Sequence, residues 1–525
     1  MSAMTTLAVD EAPAARRGLG SLAARVLRME IRHSAFIWIV PLLVVLFVYD
    51  PYRTASGYPS LWPTRSTVVL NKFWPDLVVF AAGFSAWSGT REGRRNISDL
   101  LGTTARPAWT RQLCSLAGTA FWVLAAFLAG TVVLYVSASS AATWGSAPVW
   151  PVVVGVVAML EVCAVAFTLG ALFPGRFTAP VVAVGIMIVT LAAFRQAVGD
   201  NGGSTGAIGV LSPDGGVPGN DWGLFYPVSV GVPVVQVMFM LGVVLAAIGV
   251  LGLSPRTGGV GWRGALSAVA AGGARMRTIA VSVLAVGVAL AVAGFVLAET
   301  ANVSDPTSTL QIPAIDNTLA ASKPIPYTPV CAGSFHVCLH PAYLPYLPQV
   351  QAAIDPVIAQ LSGLPGTPAR ATEVSQSVLP VNLSMGNGDG QLVNGVYEFS
   401  LSNAVALTQD PKYLKTSLQQ DLVRSAFVGD QVLTMPDGTQ LLGYGTPAQQ
   451  AVMDGLLTTL GTPAFQVPES MNGTPPPGLS SPAQQAQVMA AAAKFAALPA
   501  AQRHSWLAAN FAALKAGHIT LAQIP

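Results

Sequence analysis

Charged residues are scarce in this 525-residue chain: they make up 10% of the sequence, whereas hydrophobic residues make up 52%. Ordinary soluble domains carry roughly 25% charged residues. This shortage, together with a mean hydropathy of +0.55, excludes a soluble protein and indicates an integral membrane protein. The formal net charge is only +3, so the positions of the basic residues carry more information than their number.

Two catalytic signatures are also missing from the sequence. It contains no phosphate-binding loop of the form G-x-x-x-x-G-K-[ST], so the chain has no nucleotide-hydrolysing site of that type, and it contains no H-E-x-x-H zinc motif. No pair of nucleophile and base stands out either. We therefore expect that the chain is not an enzyme, that it needs no metal or other cofactor, and that it binds no nucleic acid.

The sequence is rich in long apolar runs. Seven of them approach the roughly 20 residues that a helix needs to cross a bilayer, at about 34–49, 73–87, 113–136, 149–173, 177–194, 228–253 and 278–298. The second run is the weakest, because it is short and contains Asp76. These runs predict an α-helical polytopic membrane protein with about seven transmembrane helices.

The arginines predict how these helices are oriented, because basic residues near the ends of membrane spans are retained on the cytoplasmic side. Arginines occur before the first predicted span, between the second and third, between the fourth and fifth, and before the seventh. Seven crossings place all four groups on one side; Arg53, Arg65 and Lys72 oppose the pattern. We therefore expect a multi-pass protein of the cell membrane with a cytoplasmic N-terminus and an extracytoplasmic C-terminal region.

The chain divides into five predicted parts. We expect a disordered cytoplasmic tail at 1–19 and an amphipathic interfacial helix at 20–33, for which a solvated charged segment is the alternative. A transmembrane domain covers 34–299, a linker rich in Ser, Thr, Pro and Ala covers 300–328, and an extracytoplasmic α+β domain covers 329–525. In that last domain the patterns predict strands near 371–374 and 395–402, and helices near 348–366, 411–427, 447–460, 482–497 and 500–516.

One predicted cytoplasmic loop, REGRRNISDLLGTTARPAW at 91–109, has the features of a docking element. Asn96 can cap a short helix with Asp99 at its third position, and Gly102 and Pro107 end that helix within about two turns. A preformed short helix loses little entropy on binding, so it suits docking into the cleft of a partner. The alternative is that the arginines only retain this loop in the cytoplasm.

The loop resembles the one between the second and third spans of permease subunits in ATP-binding-cassette (ABC) transporters of the second, exporter-type class. Asn96 and Ile97 stand where that class has a Gly-Thr pair. The residues before and within the first span also look like the interfacial helix and first span of this class in actinobacteria. The loop residues that match are Arg91, Glu92, Asp99, Leu100, Leu101 and Pro107.

The resemblance covers about 15–300 and implies a division of labour. The chain would form the membrane passage of an exporter, and a separate cassette ATPase subunit would dock on the 91–109 loop and supply energy. A second permease, identical or different, would complete a dimer. The alternative is a membrane-anchored sensor or binding protein, or a hydrolase, that acts through its extracytoplasmic domain.

Glu161 lies near the middle of the fourth predicted span. An ionisable residue at that depth is energetically costly and by default marks a substrate or ion pathway. The alternative is a protonated or hydrogen-bonded glutamate that joins two helices. Both interpretations stay open at the level of the sequence.

Two of the four cysteines, Cys331 and Cys338, lie beside two histidines in the segment CAGSFHVCLH. Apolar residues alternate with others from Phe335 to His340, which predicts a strand. On a strand His336 and His340 would lie about 13 Å apart, too far to share one zinc ion. We therefore expect a disulfide between the two cysteines rather than a metal site, because disulfides persist outside the cell; two free thiols are the remaining alternative.

Overall fold

A computed structural model describes residues 19–94, 108–198, 206–215, 223–253, 274–304, 309–317, 323–375, 378–379, 390–401, 410–428, 432–434, 440–442, 445–464 and 482–525. Of the predicted cytoplasmic tail, only Leu19 lies within these ranges. The structure is mostly helical (71%) and contains a small sheet region. This composition is compatible with the polytopic helical protein that the apolar runs predict.

The first half of the helical bundle is built from short and long helices in turn. α1 covers Leu19–Arg32, α2 Val40–Phe47, α3 Arg53–Ser56, α4 Trp62–Val68, α5 Trp74–Gly89 and α6 Arg91–Arg94. A 3₁₀ turn precedes α2, and single π-helical turns join α2 to α3 and α4 to α5: Ala35–Ile39, Val48–Tyr52 and Val69–Phe73. α1 is helical where the sequence predicts a helix at 20–33, and the position of that helix at a membrane interface stays a prediction.

The second half of the bundle contains α7 at Ala108–Ser139, α8 at Trp150–Leu172, α9 at Thr178–Val198, α10 at Ala207–Leu211, α11 at Gly231–Leu253 and α12 at Ala274–Glu299. Within the described residues, six segments are long and apolar enough to cross a membrane: Ala24–Ser56, Trp62–Gly89, Trp109–Ser139, Trp150–Leu172, Gly231–Leu253 and Arg277–Glu299. They include six of the seven predicted spans. The fifth predicted span falls on α9, whose apolar part, Thr178–Ala193, is shorter.

The second span is longer than the sequence predicts. It begins at Trp62 rather than near residue 73 and is 28 residues long. Its first part is polar in composition, but Arg65 and Ser66 are buried against the protein. The Arg65 guanidinium donates a hydrogen bond to the carbonyl oxygen of Ala55. Because these polar side chains are buried against protein rather than exposed to lipid, this part of the span lacks the apolar composition from which spans are predicted. The same burial explains why Arg65 opposes the charge pattern.

Glycines bring several of these helices into backbone contact. A Cβ atom at Gly89 on α5 would overlap the carbonyl oxygen of Phe167 on α8, and a Cβ at Gly170 on α8 would overlap that of Ala86 on α5. On α11, a Cβ at Gly249 would lie 2.6 Å from the backbone nitrogen of Leu284 on α12. Small residues at such crossings are the usual means of packing helices within a bilayer, where apolar burial alone gives no driving force.

The outer surface of the bundle is apolar. The helices differ in how much of their most apolar stretch is buried inside the protein: the share is 61% in α8 and 17% in α12. Large hydrophobic side chains stand exposed on α2, α9 and α12: Leu42, Val44, Val45, Val181, Ile188, Val189, Leu191, Val286, Val288 and Val292. Such a continuous apolar surface exceeds what soluble proteins expose and fits a surface in contact with lipid.

The predicted linker at 300–328 contains a β-hairpin. Its strands, β1 at Asn302–Ser304 and β2 at Thr309–Gln311, pair in antiparallel register. Just after it, the Asp316 carboxylate accepts hydrogen bonds from the backbone nitrogens of Ile312 and Gly231, both at 2.8 Å, and from the Ser229 hydroxyl at 2.7 Å. These bonds fasten the start of the C-terminal region to the first turn of α11.

The C-terminal region combines a five-stranded sheet with packed helices. The sheet has the strand order β3-β4-β5-β7-β6, in which β4, β5 and β7 run parallel, and β8 and β9 form a separate hairpin. Its elements are β3 Val330–Ala332, β4 Val337–Leu339, α13 Leu347–Leu361, β5 Arg370–Glu373, β6 Gln391–Val393, β7 Val396–Phe399, α14 Pro411–Phe427, β8 Val432–Thr434, β9 Gln440–Leu442, α15 Pro447–Thr459, α16 Pro482–Ala497 and α17 Ala500–Lys515. Each predicted helix and strand has a counterpart here, but the helix predicted at 348–366 ends at Leu361 and the strand predicted at 395–402 covers Val396–Phe399.

One hydrophobic core holds this region together and extends into the bundle. Its largest fully buried side chains are Tyr343, Tyr397, Phe399, Phe427 and Phe495. The same core takes in Leu61, Leu224 and Phe225, which come from connections between membrane helices. The C-terminal region is therefore packed against one end of the bundle rather than joined to it by a linker alone.

Candidate functional site

The predicted docking loop leaves the bundle beside α1. α1 packs on α7 at Gly118, where an added Cβ would lie 3.0 Å from the Glu30 Cβ. The Trp122 indole donates a 2.7 Å hydrogen bond to the carbonyl oxygen of Ile31. A side chain at position 118 would push α1 away from α7, so this glycine positions the acidic residue of α1.

Glu30 of α1 forms a two-point ion pair with Arg91, the first residue of α6. The two Arg91 Nη atoms lie 3.0 and 3.2 Å from the two carboxylate oxygens of Glu30. The Glu30 side chain is 14% exposed and that of Arg91 43% exposed. A planar guanidinium that meets a carboxylate at both oxygens fixes orientation as well as distance. The pair therefore attaches the start of the predicted docking loop to α1.

The next two residues of α6 make contacts in other directions. Glu92 accepts from Nε of Arg111 on α7 at 3.4 Å, so the residues on either side of the undescribed part of the loop are linked directly. A Cβ at Gly93 would overlap the ring of Pro174 in the α8–α9 turn. α6 is thus held by three neighbours: α1, α7 and the α8–α9 turn.

Arg94 ends α6 with its guanidinium over the ring of Trp87, 3.4 Å from the centroid. A guanidinium in that position is attracted by the face of the indole ring. Five of the predicted docking residues follow it and lie outside the described residues: Asn96, Asp99, Leu100, Leu101 and Pro107. Their helix and its role in docking stay predictions, whereas Arg91 and Glu92 occupy defined positions at the base of the loop.

The opposite end of the bundle is organised around His340. Its imidazole is fully buried, and the rings of Tyr327, Trp144 and Phe225 lie 4.4, 5.0 and 5.0 Å from it. Burial lowers the pKa of His340 to about 4, although the nearby backbone of Leu224 acts in the other direction. The imidazole is therefore neutral near pH 7 and serves as one more ring in an apolar cluster.

This His340 cluster shows which connections share one end of the bundle. Trp144 belongs to the α7–α8 connection, and the Thr143 hydroxyl beside it donates a 2.7 Å hydrogen bond to the carbonyl oxygen of Pro341. Phe225 precedes α11, and its carbonyl oxygen accepts from the backbone nitrogen of Ile325 at 2.7 Å. These connections and the C-terminal region therefore lie at the same end, away from α1 and α6.

Glu161 lies on α8 and faces a groove on the flank of the bundle. The residue as a whole is half-buried, and within the described part of the chain its carboxyl makes no hydrogen bond or ion pair. The groove has a volume of about 980 Å³ and runs beside α9 from Arg176 to Pro213. Among the described contacts no hydrogen bond joins Glu161 to another helix, whereas the protonated carboxyl that the sequence also allows stays open.

The two cysteines lie opposite each other on neighbouring strands. Cys331 on β3 and Cys338 on β4 are cross-strand partners, and their sulfur atoms lie at disulfide distance, 2.05 Å. The strand is shorter than predicted, because Gly333 and His336 both have positive φ, 80° and 53°, and form the turn. His336 therefore lies in the turn and His340 is buried beyond the end of β4. Among the described residues no three His, Cys, Asp or Glu side chains are grouped as metal ligands would be.

Comparisons with protein-family models, with curated proteins and with solved structures find no match for this chain. The functional argument therefore depends on the chain's own residues and contacts.

Sequence reasoning missed three residues that organise the two ends. Glu30 is an acid within an arginine-rich helix, and its charge was the available signal that it has a basic partner. Arg111 is one of several arginines in its segment, so nothing in the sequence distinguished it. His340 was considered only as a metal ligand, whereas the structure places it among aromatic rings from distant segments.

Proposed function

We propose that this chain is the membrane-spanning subunit of an ATP-driven exporter of the ABC class, and that a separate ATPase subunit docks on its 91–109 loop. The observation that carries the proposal is the attachment of the loop at both sides, through Arg91 to Glu30 and through Glu92 to Arg111. A displacement of the docked loop would move α1, α5 and α7 together. Such coupled helix movement is a recognised way of switching between two conformations.

In the proposed orientation, the end that carries α1 and α6 faces the cytoplasm, where ATP is available, and the C-terminal region lies outside. The arginine-rich connections support this, because basic residues are retained on the cytoplasmic side. The course of α9 supports an odd number of crossings. It starts after the turn at Pro174, which contacts α6, and it is followed by α10, which packs beside the buried start of α11.

A site-specific photo-crosslinking experiment tests the proposed docking directly. The full-length chain is expressed in its own host with a photo-crosslinking amino acid in place of Leu100. We expect an adduct with a cassette ATPase subunit, identified by mass spectrometry, whose yield changes when ATP is depleted.

The matched control carries the same photo-crosslinker in place of His504, an exposed residue of α17. This variant should give no adduct with a cassette ATPase. Failure of the Leu100 variant to crosslink to any ATPase, in cells where the protein is inserted in the membrane, would contradict the proposed function. So would an equal adduct from the His504 position.

A further inference from the structure

The groove that contains Glu161 extends along most of the length of α9. At one end it is bordered by Arg176 in the α8–α9 turn, and at the other by Ser212 and Pro213 after α10. Between these ends its walls come mainly from α8 and α9, with residues of α5, α11 and α12, and are almost entirely aliphatic and aromatic. A groove of about 980 Å³ falls within the size range of sites for small organic molecules.

Among the described residues that line the groove, Glu161 is the only acidic one, and it lies at mid-height. It is the twelfth of the 23 residues of α8, so each end of the helix is about 16 Å away along its axis. Arg176, the only basic residue of the lining within the part of the chain that the structure describes, is exposed and lies beyond the end of α8. The arginine is thus separated from the carboxyl by half the length of the helix.

When the Glu161 carboxyl is ionised, no partner among the described residues of the chain offsets its charge. Burying an ionised carboxylate without one is strongly unfavourable, and ionisable groups at mid-membrane depth usually mark binding or transport pathways. Phospholipids cannot supply this partner, because their charged headgroups lie at the interfaces of a hydrocarbon layer about 30 Å thick. The partner must instead carry its positive charge into the hydrocarbon region on an apolar body.

The rest of the lining fits a molecule of that kind. Trp74, Phe239 and Phe295 line the groove together with Glu161, and faces of aromatic rings attract cations. Gly185 of α9 also lines the groove, and a Cβ added there would meet nothing within 4 Å. The missing side chain at position 185 keeps the middle of the groove open.

We propose that this groove binds a lipophilic cation, an apolar molecule with one amine, quaternary ammonium or similar group, whose charge is neutralised by Glu161. The further step, that the bound cation is a transported substrate, rests on the proposed function. Binding itself requires only this chain. If the groove does not bind the cation, the result of the ATPase-crosslinking experiment is therefore unaffected. If no ATPase docks, the binding site in the groove remains intact.

The test measures binding of radiolabelled tetraphenylphosphonium to the purified full-length chain in nanodiscs of zwitterionic phospholipid, with empty nanodiscs subtracted. Tetraphenylborate, measured separately, has nearly the same size and shape but the opposite charge. We expect saturable binding of one phosphonium ion per chain and no saturable binding of the borate. Equal saturable binding of the two ions, or no saturable binding of the phosphonium, would overturn the proposal.

Substitutions then locate the site. Glu161→Gln keeps the volume of the side chain but removes its charge, so it should weaken phosphonium binding by roughly thirtyfold or more, the usual effect of removing one partner of a buried charge pair. Gly185→Phe should also weaken binding, because its ring fills open space in the groove. The control is Glu299→Gln, since Glu299 is exposed at the end of α12, and it should bind like the unmodified chain.

The two variants keep the result decisive if one of them folds poorly. Each is first checked for a single size-exclusion peak and an unchanged melting temperature. If Glu161→Gln fails that check, Gly185→Phe tests the same groove without altering a charge. Unchanged phosphonium affinity in a correctly folded Glu161→Gln or Gly185→Phe variant would show that the cation binds elsewhere.

Discussion

The two ends of this molecule are built from different interactions. At the end that carries α1 and α6, the contacts include ion pairs between partly exposed side chains, such as Arg91 with Glu30. At the other end, His340 and Phe225 are buried among aromatic rings that join the C-terminal region to the bundle. Exposed ion pairs contribute little stability and rearrange readily, whereas buried aromatic packing is stable and fixes one geometry. We infer that the first end can move during function while the second stays assembled.

The largest expected effect comes from removing a ring of the His340 cluster. Phe225→Ala deletes a side chain that is 4% exposed, so it should lower the free energy of unfolding by about 3–5 kcal/mol. Thermal unfolding of the full chain in detergent measures this. Phe177→Ala is the control, because Phe177 is 78% exposed on the flank of the bundle. Equal effects of the two substitutions would show that Phe225 does not join the two regions.

Breaking the cysteine pair should have the next largest effect. The disulfide between Cys331 and Cys338 closes a short loop with a sequence separation of 7, for which chain entropy gives a stabilisation of about 2–3 kcal/mol. A Cys331→Ser/Cys338→Ser variant should therefore exchange amide hydrogens faster in β3 and β4. The control, Cys114→Ser on α7, should leave exchange in this hairpin unchanged. Slow exchange in the double variant would show that the hairpin needs no crosslink.

Acidification should weaken the His340 end selectively. Because burial lowers the pKa of His340 to about 4, the unfolded chain binds more protons than the folded chain between the usual pKa, about 6.5, and pH 4. Stability should therefore fall as the pH drops through this window and be unaffected by this group above it. His340→Asn keeps a side-chain acceptor for the Ala342 nitrogen, which now bonds to His340 Nδ1 at 3.1 Å, but cannot take up the proton.

Melting temperatures of both proteins between pH 7.5 and 4 measure this difference. The unmodified chain should lose more stability on acidification than His340→Asn does. A His504→Asn variant, altered at an exposed histidine of α17, should behave like the unmodified chain. Parallel curves for the unmodified chain and His340→Asn would mean that the buried imidazole does not resist protonation.

The smallest effect on stability is expected at the ion pair that ties α6 to α1. Because Arg91 is 43% exposed, loss of the pair should lower the free energy of unfolding by less than about 1 kcal/mol. A cycle of Glu30→Gln, Arg91→Gln and the double variant measures their coupling energy, which should shrink as salt is raised. A coupling as large as the Phe225 effect would contradict the difference between the two ends.

Much of the C-terminal region was predictable because its local signals agree with its final structure. α14, α15 and α16 begin at Pro411, Pro447 and Pro482, and proline is well suited to the first position of a helix. The cysteine hairpin was predictable for a similar reason, since Gly333 supplies a turn conformation that other residues adopt with strain.

The features that escaped prediction depend on contacts between distant segments. Arg65 looks like a charge that breaks a membrane span, and only its bond to Ala55 shows that it is compatible with a longer helix. Glu30 and Arg91 are 61 residues apart, so no local pattern connects them. The same holds for His340 and Trp144. Predictions from hydropathy and capping signals concern single segments and carry no information about such partners.

Cysteine labelling in intact cells tests the central claim most directly, namely that the α1 end and the C-terminal region lie on opposite sides of the membrane. Two variants of the full chain carry Arg28→Cys on α1 or His504→Cys on α17, both at exposed positions. A maleimide that cannot cross membranes should label His504→Cys in intact cells and Arg28→Cys only after permeabilisation. Labelling of both positions in intact cells, or the reverse pattern, would contradict the account.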